Sequence, residues 1–472
     1  MKNQKHNKKS IPVLSLPECR DFLSSLQERF VICPIDKASS NISFVCKRFY
    51  ASVLVKELGL DGVEGCPTYE KIERPVANIV SDDVENLKDR FHLNVAEEEK
   101  KLPQIYWMPK LHKNPIKFRF IIAAPSCSIK PLSKALTKIF KLFFRQVQTY
   151  NEKSYFYSSV KTFWVIQNNT DVIGCIKRLN KRGSFKSMAT FDFSTLYTKI
   201  PHEKLLNVMN EICDFCFQGG SHNVLSVSTS VARWISENNK RATLKFSKEL
   251  FKEGLSYLMG NCYFTFGEHV FRQVIGIPMG SDPAPFMANL FLYHYESNWI
   301  NNLKKKNLQK ARRFGNTFRF IDDLLTINDN GLFNENFKEI YPPELQLNLE
   351  SSGDRITFLD IDLRNVEGRL DVRLFDKRDS FSFEIVRLPF CSSNMPSSMF
   401  YSCFGAELIR IARVSSNLEN FSTAGKALLE RVLKQGAKIP RLEKTLKKIY
   451  GRQLVFQSLA SNSALFVNSL FL

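Results

Sequence analysis

The sequence predicts an α+β chain of roughly two or three lobes. Helix-like stretches and short strands are interleaved along its length, and several strands come as hairpins whose apolar and polar residues alternate about a Gly-containing turn. With 472 residues, 44% apolar content and 40 Phe, the chain can bury a large core.

The elements follow in order. Residues 1–10 carry Lys2, Lys5, Lys8 and Lys9 but lack the apolar core of a secretory signal and the Arg-rich amphipathic length of a transit peptide, and read as a basic arm. Residues 11–100 combine a strand at 41–45 with acidic helix-like stretches such as 81–101. Two strands lie around Arg119, and helices follow at 134–147 and 170–179. Residues 188–197 read as a strand with a lone acid, Asp192, that turns into Pro201. The spacing predicts helices at 231–237 and 250–259, then an aromatic hairpin over 263–271. A helix is expected to start near Pro285. Residues 318–325 read as one short buried strand carrying Asp322 and Asp323. Residues 356–363 and 370–375 form an alternating hairpin across Glu367-Gly368; its acids, Asp360 and Asp362, share a strand face by period two and are expected to be structural and solvent-facing. From Ser397 the pattern is helical and increasingly basic.

Composition narrows the partners. With 67 Lys and Arg against 47 Asp and Glu, the net charge of +20 attracts polyanions at long range. Nucleic acid is the leading candidate, although ribosomal, chromatin and membrane-surface proteins share this balance. No run of eighteen apolar residues occurs, so no membrane span is predicted. Eleven cysteines, an odd number without framework spacing, point to an intracellular reducing compartment and thiols used as small hydrophobes. Cys213 and Cys216 alone have ligand-like spacing, which at helical periodicity reads as packing rather than zinc. The seven histidines form no cluster.

The acids carry the chemistry. Desolvating neighbouring carboxylates between apolar residues is costly unless a cation neutralises them, and hard oxygen ligands suit Mg²⁺. An Asp-Asp pair also serves as a turn or a helix N-cap. If the strand of Asp192 lies beside that of Asp322 and Asp323, three carboxylates converge. That arrangement suits two divalent ions gripping a triphosphate and a primer hydroxyl, the chemistry of nucleotidyl transfer. Between the strands, residues 273–285 hold two glycines and three prolines. Gly280 and Ser281 would let backbone approach a flat ligand, or the segment is an ordinary strand-to-helix connection.

Asp192-Phe193-Ser194-Thr195-Leu196-Tyr197, Gly276-Ile277-Pro278-Met279-Gly280-Ser281 and Phe320-Ile321-Asp322-Asp323, in that order, resemble motifs A, B and C of reverse transcriptases. The Penelope-like retroelement branch, related to telomerase reverse transcriptases, is more similar still. The pointers are residues 196–201, Met279-Gly280-Ser281, Arg319, and the stretches 106–113, 358–361, 376–378 and 393–396, with Ile35-Asp36-Lys37 near the start. The resemblance covers roughly residues 30–450.

The resemblance implies a right-hand polymerase: an N-terminal extension (1–100) packed on fingers (101–186), a palm (187–390) of antiparallel sheet backed by helices with an insertion at about 200–272, and a helical basic thumb (391–472). Asp192 and Asp322 would bind both Mg²⁺ ions, for which Mn²⁺ could substitute. The Phe193 carbonyl would complete one shell, with Asp323 as the supporting acid. Tyr197 matches the side chain that blocks a 2′-hydroxyl. Arg119 matches the fingers arginine on the triphosphate, with Lys110 or Lys113 as a second cation; each could instead sit on a solvated face. Lys434, Lys438, Arg441, Lys444, Lys447 and Lys448, which Arg431 and Arg452 extend, would grip the phosphates of the duplex unless they form a solvated helix face, with Glu443 the only opposing charge expected nearby. Expected partners are an RNA template, a DNA primer and dNTPs, most readily in the nucleus. Many Penelope-like proteins carry a GIY-YIG endonuclease after the thumb; here the expectation is either a truncated coding sequence or an endonuclease-lacking element that would prime on an existing DNA 3′ end. An inactive or domesticated nucleic-acid-binding relative and an RNA-templated RNA polymerase are the alternatives; intact acids count against the first and Tyr197 against the second.

Overall fold

The computed structural model describes residues 16–62, 68–183, 185–194, 196–218, 224–236, 239, 244–277, 280–393 and 395–471; the expected basic arm, Thr195, Pro278, Met279 and Asn394 lie outside them. Helix α1 (Leu16–Arg29) leads into a hairpin of β1 (Phe30–Ile35) and β2 (Ala38–Cys46), whose turn, Asp36-Lys37, holds Lys37 at φ 64°. Next come α2 (Lys47–Glu57), β3 (Tyr69–Ile72) and α3 (Val76–Phe91). The helix expected over 81–101 thus starts earlier and stops at Phe91, because His92 takes left-handed backbone at φ 54° and ends it. Strands β4 (Gln104–Lys110) and β5 (Lys117–Ala123) pair around Arg119, and α4 (Lys130–Ser158) and α5 (Thr170–Arg182) follow.

Strand β6 (Met188–Phe193) carries Asp192, then come α6 (Leu196–Lys199), α7 (His202–Phe217), β7 (Val224–Val227) and β8 (Ala232–Ile235). Where a helix is expected at 231–237, the described residues 232–235 form a strand instead. Its residues pair with β7, and Trp234 lodges against Phe217 and stacks on Phe143, so tertiary pairing overrides local spacing. After β9 (Lys245–Phe246) and α8 (Lys248–Gly260) comes the aromatic hairpin, β10 (Tyr263–Phe266) and β11 (His269–Gln273). Helix α9 (Ala284–Lys306) starts where expected and is followed by α10 (Leu308–Arg312).

The apolar run around the acid pair is not one strand but a hairpin, β12 (Thr317–Phe320) and β13 (Asp323–Ile327), turned at Ile321-Asp322. Then follow α11 (Leu332–Ile340), β14 (Leu347–Ser352), β15 (Arg355–Phe358), β16 (Ile361–Val366) and β17 (Arg369–Leu374). Asp360 and Asp362 do not share a strand face, because the chain turns at Leu359, φ 54°, and Asp360 sits in that turn. Nor does Asp362 face solvent: it is buried and paired with Arg355 and Arg364. The chain closes on α12 (Ser397–Val414), α13 (Leu418–Lys434), α14 (Ile439–Tyr450), α15 (Leu454–Gln457) and α16 (Ser463–Phe471).

Two sheets position the site. A five-stranded sheet runs β3-β11-β10-β4-β5, and a four-stranded antiparallel sheet runs β12-β13-β6-β14. Helices α4, α7 and α9 pack against the second sheet through a core that includes Phe140, Phe191, Phe193, Leu290 and Leu324. The carboxyl-terminal helices enclose a separate core around Phe404, Phe421, Leu446 and Phe466. Among the described residues no helix is long and apolar enough to cross a membrane.

Candidate catalytic centre

Register brings the acids together. Asp192 lies directly opposite Asp323 of β13 and, across its other edge, opposite Asn348 of β14. Directly opposed residues of an antiparallel pair project from one face with Cβ atoms about 4.5–5.5 Å apart. Phe191 and Phe193 turn into the core, so alternation directs Asp192 to the other face. The Phe193 amide donates to the Asp322 carbonyl at 3.2 Å, which ties the hairpin turn to the strand of the first acid. Burial, then the Asp322 and Glu350 charges, raise the Asp192 pKa, while Lys113 and Lys37 oppose the rise. Burial pushes Asp323 up to about 6 against Lys377, with Asp322, Asp192 and Glu350 adding to the rise.

The turn is held from beneath by Arg319, which is fully buried. Its guanidinium pairs with Glu296 at 2.5 Å and donates to the Asn289 side chain at 2.8 Å and the Ile321 carbonyl at 3.0 Å. The Tyr341 hydroxyl completes the set by donating to Glu296 at 2.9 Å. Ile321 stands at φ 55°, a costly backbone for a β-branched residue, and the Arg319 contact to its carbonyl holds it there.

The Gly-rich loop closes a second side. A Cβ at Gly276, φ 89°, would fall 2.3 Å from the Tyr197 carbonyl, and the Ile277 amide donates to that same carbonyl at 2.8 Å. Burial and Asp322 push the Tyr197 phenol up to about 12, which puts its ring within the field of the acids. A Cβ at Gly280, φ 116°, would lie 2.2 Å from the Ile122 carbonyl. Gly280 thus lies in close backbone contact with β5 on one side while remaining exposed on the other. The Ser281 hydroxyl is buried and has no hydrogen-bond partner among the described residues. Asp282 fastens the loop to α4 through Lys130 at 2.8 Å and Ser133 at 2.9 Å.

Cations stand beside the acids on the β1–β2 turn (Lys37), the β4–β5 turn (Lys113) and the segment after β17 (Lys377). Arg119 pairs with Asp36 at 3.1 Å; Asp36 is buried, and its other oxygen has no partner among the described residues. Burial and then Lys377 lower the Lys37 amine pKa; burial and then Arg119 lower that of Lys110. Lys37, Lys113 and Lys377 line a cavity of about 200 Å³ with Asp323 and Glu350. His112 also lines it, with both ring nitrogens buried and unpartnered among the described residues. Sequence reasoning gave Lys37 and Lys377 only as parts of short resemblances and missed Glu350, which sits at a bulge in β14 where no local signal marks it.

The basic residues expected to grip a duplex lie on and beside the carboxyl-terminal helices. Lys434 ends α13, Lys438 precedes α14, and Arg441, Lys444, Lys447 and Lys448 lie on α14; all six are exposed while Leu442 and Leu446 are buried. Arg431, expected to see only Glu443, instead pairs with Asp379 at 3.0 Å, a residue distant in sequence. Cys213 and Cys216 are core residues, and burial raises both thiols.

The donor set fits Mg²⁺ in one way. Among the described residues no three His, Cys, Asp or Glu side chains form a ready-made metal cage. Mg²⁺ keeps several waters and takes one or two carboxylates plus substrate phosphates, so an open pair, Asp192 and Asp322, suits it better than a closed cage would.

No family model and no curated protein matches the sequence. Solved structures do. Telomerase from Candida albicans in complex with a TWJ fragment of telomeric RNA aligns with a TM-score of 0.63 at 12% identity, over 95% of this chain and 71% of that one. Telomerase from Candida tropicalis with a TWJ fragment aligns at 0.52 and 12% identity, over 94% of this chain and 66% of that one. The apo Candida tropicalis enzyme lacking its C-terminal domain aligns at 0.50 and 11% identity, over 74% and 64%. At such identities the likeness speaks to architecture, and the chain shares the right-hand polymerase fold of the telomerases.

Proposed function

We propose that this chain is an RNA-directed DNA polymerase of a Penelope-like retroelement, adding dNTPs to the 3′ end of a DNA primer on an RNA template. The observation that carries this reading is the register that sets Asp192 against Asp323 with Asp322 in the adjoining turn, beside Lys37, Lys113 and Lys377. Asp192, Asp322 and the Phe193 carbonyl would hold two Mg²⁺ ions, with Asp323 as the supporting acid. When bound, the ions would supply activation of the primer hydroxyl and neutralisation of the departing pyrophosphate.

The protein's own groups do the rest by positioning and charge. Arg119 offers a planar fork to phosphate oxygens, and Asp36 holds it in place. Lys110, Lys113, Lys37 and Lys377 add point charges around the triphosphate. Tyr197, locked through its carbonyl by the Gly276 segment, would set its ring against the 2′ position of the incoming sugar. Ser281 presents an unsatisfied hydroxyl beside Gly280 on the same loop. Lys434, Lys438, Arg441, Lys444, Lys447 and Lys448 would bind the duplex without reading its sequence.

Extension of oligo(dT) on poly(rA) with Mg²⁺ and dTTP tests the reading. Asp322→Asn should abolish extension and leave duplex binding nearly intact. A wild type inactive with every template, sugar and divalent metal would favour a nucleic-acid-binding scaffold instead. Tyr197→Ala should admit ribonucleotides, and an unchanged preference for dNTPs would remove its gate role.

A further inference from the structure

The carboxyl end of α4 carries a surface that the catalytic centre does not use. Tyr150, Phe156 and Tyr157 are 55%, 82% and 86% exposed there. Tyr150, Lys153, Ser154 and Tyr157 recur at helical spacing and so share one face, while Phe156 braces Tyr157 edge-on at 5.4 Å. Soluble surfaces rarely leave so much aromatic area open unless something covers it. Two cavities of about 610 and 640 Å³ meet at this face, since Tyr150 and Lys153 line both. One continues to Tyr157, Lys304 and Arg312, the other to Arg145 and Trp234.

The groove has a distinct chemistry. No carboxylate lines either cavity, and among the described residues Arg145, Lys153, Lys304 and Arg312 make no salt bridge. Glu152, the acid nearest in sequence, accepts from Gln148 at 2.9 Å. Open ring faces suit bases, and free cations suit phosphates. A duplex hides its base faces and would leave the rings idle. The hydroxyls of Thr149 and Ser154 add partners for a 2′-hydroxyl, which favours RNA. The amino end of α4 is tied to the Gly-rich loop by Lys130, and Tyr150 to Ser158 lie about 30 Å or more farther along the helix axis.

We propose that this groove is a holding site for single-stranded RNA, with bases stacked on Tyr150 and Tyr157 and phosphates on Lys153, Lys304 and Arg312. It does not depend on the polymerase reading, because RNA held there needs neither metal nor nucleotide. A strand bound there is held on a surface that none of the residues lining the acid cavity shares.

The full chain would be titrated into a labelled, uridine-rich 12-mer RNA containing 5-iodouridine, in EDTA, with excess unlabelled hairpin duplex to fill the cleft. The expected result is photocrosslinking to the peptide holding Tyr150 and Tyr157, and a loss of affinity of about tenfold or more in Phe156→Ala/Tyr157→Ala. Both side chains are over four-fifths exposed, so the variant keeps its fold, and Tyr157→Trp should retain binding. Lys153→Glu/Lys304→Glu should weaken binding and flatten its salt dependence. Extension of a short saturating primer–template should be unchanged in all three variants. Crosslinks that fall only elsewhere, an unaltered affinity in the double alanine variant, displacement by the duplex, or equal binding of a single-stranded DNA 12-mer of the same sequence would overturn the proposal.

Discussion

Asp323 shows how a single side chain registers its surroundings. Its pKa of about 6 lies above the ordinary carboxylate value near 4, because burial and then neighbouring acids disfavour the charged form against the pull of Lys377. The sign follows: a raised acid pKa stabilises the folded state below the unfolded value, and that contribution is lost as pH rises through about 6. Asp323→Asn should therefore stabilise the ligand-free protein at pH 8, by about 1–2 kcal/mol after solvent screening, and by little at pH 4.5. Denaturant midpoints at the two pH values check this, and an equal gain at both would contradict it. Arg319 works differently, since its partner Glu296 is also fully buried. Arg319→Met would strand that carboxylate and release Ile321, at a cost of about 3–5 kcal/mol. A loss under about 1 kcal/mol in a denaturant titration would show that the pair is dispensable.

At the scale of elements, the Gly-rich loop and the acid hairpin are held by backbone contacts. Gly280→Ala would force a Cβ to within 2.2 Å of the Ile122 carbonyl, in a backbone region that favours glycine. It should cost about 3 kcal/mol or more and cripple nucleotide binding, measured as a raised KM in primer extension. Gly267→Ala, in the turn between β10 and β11, meets nothing within 4 Å and should cost only about 1 kcal/mol with KM unchanged. Equal effects of the two substitutions would mean that positive φ alone matters, not the approach to β5. Most elements are legible in the sequence. The aromatic hairpin, the strands around Arg119 and the helix beginning near Pro285 announce themselves by alternation, turns and breakers. The strand at Ala232–Ile235 was misread as helix because its partners, Val224–Val227 and Phe143, are invisible to local spacing. The acid hairpin was misread as one strand because its turn has no glycine, and a buried arginine stabilises it instead.

At the scale of the whole molecule, the acids and the basic helix face belong to different cores. The basic face of α14 projects outward from a core of its own, distant in sequence from the acids. Lys444→Glu/Lys448→Glu should weaken duplex binding on all sequences alike and reduce the slope of log affinity against log salt by about 2. A sequence-selective loss, or an unchanged slope, would remove α14 from the phosphate contacts.

The sequence by itself determined the apolar setting of Asp192, Asp322 and Asp323 and the large excess of cations from which the proposed chemistry and the expected polyanionic partner are argued, because both are properties of composition and order. Only the tertiary structure decided which strand faces Asp192, how Arg319 props the turn, and that Lys37, Lys377 and Glu350 join the site. Those relations depend on strand register and on contacts between residues far apart in the chain. Local patterning carries no information about either.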